Sequence, residues 1–252
     1  MKIVASYNVK GGVGKTTAAV NLAYLSAQHG SRTLIWDLDP QGAATYLFRV
    51  KPRVKGGSAR LVRGTRPIDA ALKGTDFEGL DLLPADFTYR NMDLDLARTH
   101  KSGRQAARAL ARLLGDLADH YDVVFLDTPP SLSLVSENVL NAADVVLVPI
   151  IPTVLALRTY DQLAEFVETF DQSRPRLHAF FSMADRRKAL HREIIATLPQ
   201  QRSGISPTAI PALSLIEQMA VQRAPLPSYA PRSPAALAYH SLWTELTDLL
   251  GA

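Results

Sequence analysis

The run Lys10-Gly11-Gly12-Val13-Gly14-Lys15-Thr16-Thr17 has the residue types and spacing of a phosphate cradle. Glycines let successive backbone N–H groups turn inward around an anion, and a helix opening at Lys15 adds the positive end of its dipole. Lys15 then reaches the β- and γ-phosphates of a nucleotide, and the Thr16 hydroxyl completes the shell of a Mg²⁺ ion. The usual pattern G-x-x-x-x-G-K-[ST] puts its first glycine where this chain has Val9. The chain instead brings a second lysine, Lys10, to the loop entrance.

Two further segments carry carboxylates that suit the same chemistry. Tyr121 to Leu126 is an apolar strand ending in Asp127, placed to hold Mg²⁺ through water, and it runs on into Thr128-Pro129-Pro130-Ser131. Leu34-Ile35-Trp36-Asp37-Leu38-Asp39-Pro40-Gln41-Gly42 ends a second apolar strand with two aspartates. Phosphoryl transfer needs placement and charge neutralisation, so a carboxylate near the γ-phosphate serves to orient water. The alternative for either aspartate is to cap the turn that follows it.

Positioning these groups requires strands that end where helices begin, and the chain alternates in that way. Strands are expected at Lys2–Tyr7, Thr33–Asp37, Asp81–Leu83, Val123–Leu126, Val145–Ile150 and Leu177–Met183. Helices are expected at Lys15–His29, stopped by Gly30, and at Gly103–Asp119, Leu134–Ala142, Leu155–Phe170 and Lys188–Leu198. A last helix runs from the Ser233-Pro234 cap to Leu250, after a Pro-rich surface crossing over Ala224–Pro234. The fold class is α/β, a doubly wound, mostly parallel sheet with helices on both faces. Residues 1–252 are expected to form one domain, with no internal repeat and no separate N-terminal DNA-reading domain. Motif carboxylates fall at the carboxyl ends of strands, the side on which such sheets bind ligands.

The loop K-G-G-x-G-K-T-T resembles the deviant Walker A motif of the ParA/MinD ATPases, relatives of the nitrogenase iron protein and the arsenite-pump ATPase. The resemblance implies a P-loop NTPase fold, with ATP and Mg²⁺ bound by Lys10 to Thr17. It implies that Lys10 crosses a dimer interface to the partner's nucleotide, making Lys10, Lys15 and Asp39 the catalytic set. Asp127 resembles the Walker B aspartate, and Thr128–Ser131 the switch II that senses the γ-phosphate. The segment Asp37-Leu38-Asp39-Pro40-Gln41-Gly42 is similar to the family's switch I. Asp39 aligns with the residue that positions or activates water, and Asp37 supports Mg²⁺ together with Thr16 and Asp127.

Composition is compatible with such a protein. With 252 residues and 47% hydrophobic content the chain can bury a full core. Zero cysteines exclude disulfides, zinc-thiolate sites and an iron–sulfur cluster, and so a nitrogenase-iron-protein role. No apolar run reaches membrane-spanning length and no signal-peptide pattern precedes the first strand, so a cytoplasmic protein is expected. A formal charge of +4 leans modestly toward a polyanion partner. The six histidines lack metal-ligand spacing, serines lack a G-x-S-x-G elbow, and Trp36 and Trp243 sit in core patterns.

The resemblance further implies binding of nonspecific DNA by the ATP-loaded homodimer, hence a nucleoid-associated protein. Met183-Ala184-Asp185-Arg186-Arg187 resembles the segment that puts a DNA-binding arginine at Arg187. The family's later I-P-R-x-x-R reads here Ile210-Pro211-Ala212-Leu213-Ser214-Leu215, so both basic positions are lost. A replacement is offered by the segment from Arg49 to Arg66, with Lys51, Arg53, Lys55, Arg60 and Arg63 and no acidic residue between. A solvated loop with no ligand fits that segment equally.

No arginine finger is identifiable in cis, and NTPases lacking one turn over at roughly 10⁻⁴–10⁻³ per second. An activating partner is therefore expected, a ParB-like or cargo-adaptor protein, in relatives acting through a basic N-terminal peptide. The cargo would be a plasmid, a chromosome or a protein assembly such as a carboxysome. Three rivals remain. A MinD-like membrane ATPase needs a basic amphipathic C-terminal helix, but residues 241–252 hold Glu245 and Asp248 and no Lys or Arg. A biosynthetic enzyme of the superfamily would couple ATP to small-molecule chemistry, and a scaffold would hold nucleotide without hydrolysing it.

Overall fold

The computed structural model describes residues 1–65, 67–100, 102–170 and 174–251. Its strands are β1 (Lys2–Ser6), β2 (Thr33–Asp37), β3 (Lys73–Gly74), β4 (Leu80–Leu83), β5 (Val123–Asp127), β6 (Val145–Ile150), β7 (Arg176–Ala184) and β8 (Ile205–Pro211). They form one eight-stranded sheet in the order β3-β4-β2-β5-β1-β6-β7-β8, parallel except for the short β3 at the edge. The order places β1 between β5 and β6 while the chain moves from β1 out to β2, so a crevice opens at the carboxyl end of β1.

The helices are α1 (Lys15–Gln28), α2 (Ala43–Leu47), α3 (Gly57–Val62), α4 (Met92–Thr99), α5 (Gly103–Ala106), α6 (Ala109–Gly115) and α7 (Leu134–Ala142), then α8 (Val154–Glu168), α9 (Ala189–Gln201), α10 (Ser214–Glu217), α11 (Met219–Gln222), α12 (Leu226–Tyr229) and α13 (Pro234–Leu250). A 3₁₀ turn, Phe87–Asn91, precedes α4. No helix among the described residues is long and apolar enough to cross a membrane.

The continuous apolar strands are covered on both faces, as period-two alternation requires. Ile3, Ala5, Leu34, Trp36, Val124 and Leu126 join one core with residues of α4, α6, α7 and α8. Val4, Ile35, Val123 and Phe125 join the other with α1 and α13. In α1 the buried small residues Ala18, Ala19 and Ala23 let the helix lie close to the sheet and to α13. Added volume there would cost about 1–3 kcal/mol through overpacking, so the start of α1 is held firmly at the end of β1.

Several expected elements are corrected. The helix anticipated over Gly103–Asp119 is broken into α5 and α6, because the buried Leu110 amide donates to Asn138 Oδ1 (3.1 Å) of α7 and leaves the helical ladder. β8, which contains Pro207 and Pro211, is absent from the expected strands. It is an edge strand paired only to β7, where a missing N–H on the open side is tolerated. The Pro-rich stretch over Ala224–Pro234 is less superficial than expected. It contains α12, and Leu226 is fully buried with its amide donating to Asn21 Oδ1 (2.7 Å).

Candidate nucleotide site

The loop between β1 and α1 has the backbone of an anion cradle. Gly12 (φ 69°) and Gly14 (φ 96°) are left-handed, and Gly14 precedes α1 with no side chain capping the helix. The first amides of α1 therefore face the loop without internal partners. A Cβ on Gly14 would lie 2.7 Å from Ser182 Oγ at the end of β7, so close approach as well as φ demands glycine.

Surrounding polar groups brace the loop. Asn8 donates to Pro149 O (2.9 Å) and accepts from the Lys10 amide (3.0 Å), tying the loop entrance to β6. Ser6 Oγ donates to Lys15 O (2.9 Å), and Thr128 Oγ1 donates to Ser6 O (2.7 Å). Tyr7 Oη and Ser136 Oγ both donate to Ser131 O (2.9 and 2.7 Å), which fixes the loop after β5. Sequence reasoning missed Asn8, Tyr7, Ser136 and Ser182. The only signal was that Tyr7 and Asn8 adjoin the glycine run.

The two lysines have opposite surroundings. Lys15 is buried, its Nζ donating to Lys10 O at 2.9 Å, and burial lowers its pKa against the raising influence of Asp127 and then Asp39. Lys10 is exposed and directs Nζ to Leu155 O (3.3 Å) at the start of α8. Around that rim Leu132, Val154 and Leu155 are 72%, 66% and 69% exposed. A cavity of about 470 Å³ opens above the cradle, lined by Gly11 to Thr17 apart from Val13, by Asp39, and on the far side by Met183, Pro211 and Leu213. Val13 is buried beneath the loop.

Register brings the carboxylates together: Asp127 of β5 pairs with Ser6 of β1 on one side and with Asp37 of β2 on the other. Asp127 is fully buried and neither carboxylate oxygen has a hydrogen-bond partner. Thr16 lies near enough to favour the charged form without a bond of proper geometry. Burial first, and the charge of Asp37 second, drive the Asp127 pKa well above the usual carboxylate range, against the pull of Thr16 and Lys15. An orphaned carboxylate facing a phosphate cradle has the donor set Mg²⁺ needs, one or two carboxylates with phosphate and water completing the shell. Among the described residues no group of three or more His, Cys, Asp or Glu could hold a metal ion.

Asp37 differs. Its Oδ2 accepts from the Thr45 amide and hydroxyl, both at 2.7 Å, and its Oδ1 from the Asp39 amide at 3.3 Å. Burial nevertheless carries it up to about 6. The Thr45 bonds anchor α2 to the end of β2, so Asp37 shapes the turn that carries Asp39. Asp39 is half-buried, lines the cavity and accepts from the Gln41 amide (2.9 Å).

A pair of arginines links this turn to the opposite wall. Arg49 donates to Gln222 O (3.0 Å) at the end of α11, while Arg223 donates to Tyr46 O (3.0 Å) in α2 and stacks on the Tyr46 ring at 4.5 Å. Arg49, Arg223 and Met183 are the non-glycine residues with positive φ among the described residues. Such strain persists where surroundings enforce it.

The residues proposed for DNA are far from one another. Arg187 follows β7 and is held by its own neighbour, with Nε and Nη2 on the two oxygens of Asp185, each 3.0 Å. Ala212 and Leu213 end β8 and border the cavity, with Leu215 in α10 beyond them. Lys51 to Arg63 run into and just past α3, which is held against the 3₁₀ turn Phe87–Asn91 and α4, and Arg66 lies outside the described residues.

The chain is similar in sequence and in fold to known proteins. A family model described as an AAA domain matches residues 1–179. The chromosome partitioning protein ParA of Caulobacter vibrioides is 34% identical over 200 residues, covering 77% of this chain and 74% of the relative. The chromosome-partitioning ATPase Soj of Thermus thermophilus is 34% identical over 251 residues, covering 96% and 94%. Among solved structures, a cobyrinic acid a,c-diamide synthase of Mycobacterium smegmatis with bound ADP and magnesium superposes with a TM-score of 0.80 at 28% identity, covering 100% of this chain and 96% of that one. A glycine cradle entered by Lys10 on this sheet order, and likeness to partition ATPases along nearly the whole chain, make it a member of the ParA/MinD superfamily of P-loop ATPases.

Proposed function

We propose that this protein is an ATP-driven dimeric switch that binds nonspecific DNA when loaded with ATP and releases it after hydrolysis, to segregate or position a cargo. The observation that carries the reading is the divergence of the two lysines. Lys15 sits inside the cradle, whereas Lys10 turns out of it into a rim of exposed Leu132, Val154 and Leu155. An apolar patch around an outward lysine is suited to meeting a second copy face to face.

In this mechanism the loop amides and Lys15 hold the β- and γ-phosphates, and Thr16 and Asp127 would hold Mg²⁺, with Asp37 behind them. The ion, when bound, neutralises charge on the phosphates. Asp39 orients the attacking water, a placement role that asks little of its basicity. Lys10 crosses to the partner's phosphates, and loss of the γ-phosphate removes what holds the rims together. With no arginine finger in cis, intrinsic turnover is slow and an activating protein is required. Such a protein acts in the cytoplasm on the nucleoid, with a plasmid, a chromosome or a protein assembly as cargo.

The test is Lys10→Ala. It should still bind one ATP per chain, yet sediment as a monomer where the ATP-loaded parent sediments as a dimer. A parent that stays monomeric with ATP would refute the switch. A second reading is favoured by the synthase structure: ATP coupled to amidation or ligation of a small carboxylic acid. That reading predicts turnover stimulated by a small acceptor and indifferent to DNA.

A further inference from the structure

The basic stretch between α2 and β3 is a built surface. Gly56 (φ 95°) and Gly57 (φ 66°) are both left-handed. A Cβ on Gly57 would meet Thr88 Oγ1 at 2.6 Å, and one on Gly56 would meet the Arg60 side chain at 2.2 Å. The glycine pair therefore lets the chain lie against the 3₁₀ turn Phe87–Asn91 while Arg60 folds back across it. Hydrogen bonds fasten the two segments together: the Val54 amide to Asp86 Oδ2 (2.7 Å), the Ser58 amide to Thr88 Oγ1 (2.8 Å), and Ser58 Oγ to Asp95 Oδ2 (2.6 Å). Val54, Leu61 and Val62 are buried beneath.

What this scaffold presents is cationic. Lys51, Arg53, Lys55, Arg60 and Arg63 are exposed, and Arg90 lies 4.1 Å over the 65%-exposed ring of Phe87, which supports its guanidinium at the surface. Among the described residues, the ion pair of this stretch is Arg49 with Asp76, outside the set just named. On the other flank, Arg187 is chelated by Asp185, and Arg192 is engaged with the carbonyls of Arg186 and Arg187. Pro52 packs beside Gly42 in the turn that carries Asp39, so the cationic surface adjoins the nucleotide edge of the sheet.

We propose that the pinned surface of residues 51–63 with Arg90 is where this protein docks the phosphate backbone of duplex DNA, in place of the basic positions lost at Ala212 and Leu215. The inference rests on the DNA-bound reading above and names the surface that carries it. Cations carried on a pinned element lose less freedom on binding than cations on a loose loop, and contacts made to phosphate carry no sequence information.

The experiment uses the full chain loaded with ATP and Mg²⁺, two unrelated duplexes and fluorescence anisotropy over a range of salt. The triple variant Lys51→Glu, Lys55→Glu, Arg63→Glu avoids Arg53 and Arg60, which rest on the scaffold. It should lower affinity at least tenfold on both duplexes and flatten the log–log salt slope by about 0.9 for each phosphate that is no longer neutralised. ATP-driven dimerisation, read by sedimentation, should persist and shows that the variant is folded. Unchanged affinity and slope in the triple variant, with a fall in Arg187→Glu instead, would overturn the surface and leave the switch standing. A parent that dimerises with ATP but binds no duplex would overturn the DNA reading and the surface together. A parent that prefers RNA or anionic vesicles, with that binding abolished in the triple variant, would overturn DNA as the partner.

Discussion

Lys15 and Arg187 carry the same formal charge in surroundings that differ in every respect that sets its worth. Lys15 is 6% exposed at the end of β1, with Asp127 and Asp39 as the charges that oppose its loss of a proton. Arg187 projects into solvent, its side chain 92% exposed and paired with Asp185 two residues away. Charges screened by water contribute about 0–1 kcal/mol per pair, whereas removing one partner from a buried set costs about 3–5 kcal/mol. The cradle therefore depends on individual residues, and the flanks act through numbers of cations. Counting basic residues treats the two regions alike; burial and pairing separate them.

The largest expected effect is in the cradle. Lys15→Ala should weaken ATP binding by more than about a hundredfold, the equivalent of a missing buried charge partner, with the fold retained. Calorimetric titration and circular dichroism check both parts, and near-parent affinity would break the comparison at its stronger end.

Asp127 and Asp37 sharpen it from the side of stability. Asp127→Asn replaces a buried carboxyl whose oxygens have no hydrogen-bond partner and whose charged form burial disfavours, so the nucleotide-free variant should melt higher than the parent by about 2 °C or more, while Mg²⁺ no longer tightens its nucleotide binding. For Asp37 the folded pKa of about 6 lies above the unfolded value near 4. The folded state then favours the proton more than the unfolded state does, and stability falls as pH rises from about 4 to about 6. Asp122 and Asp185, held down to about 2 by their arginine partners, act in the opposite sense but below that window. Denaturant titrations of the nucleotide-free parent against Asp37→Asn across pH 4–7 should show the parent losing ground as pH rises. A difference that is flat with pH would argue that Asp37 is charged in the folded protein throughout.

The smallest effect is expected on the β7 flank. Arg187→Ala should leave the melting midpoint indistinguishable from that of the parent, since the pair it breaks is exposed. It should also shift the salt slope of DNA binding by less than the equivalent of about one phosphate, because Asp185 already offsets its charge. A decrease comparable to that of the triple variant at 51, 55 and 63 would reverse the ranking of the flanks.

The glycine–lysine run and the strands that end in Asp37 and Asp127 were legible in the sequence because their signals are local. Left-handed backbone favours glycine, two-sided burial needs continuous apolar residues, and both leave marks within a few positions. The central strands β1, β2, β5, β6 and β7 could be read for the same reason, and membership of the superfamily followed from the phosphate loop. Tertiary structure decided the rest. Only strand register places Asp127 beside Asp37 and Ser6, and only the packing around it leaves both of its carboxylate oxygens without a hydrogen-bond partner. That Thr45 engages Asp37, that Asn138 interrupts the helix after Gly103, and that Pro207 sits in an edge strand are matters of distant segments meeting, invisible to spacing. The basic stretch after Arg49 read as charge alone, since a loop and a platform have the same composition. Docking against Asp86, Thr88 and Asp95, made possible where Gly57 meets Thr88, turns that charge into a surface.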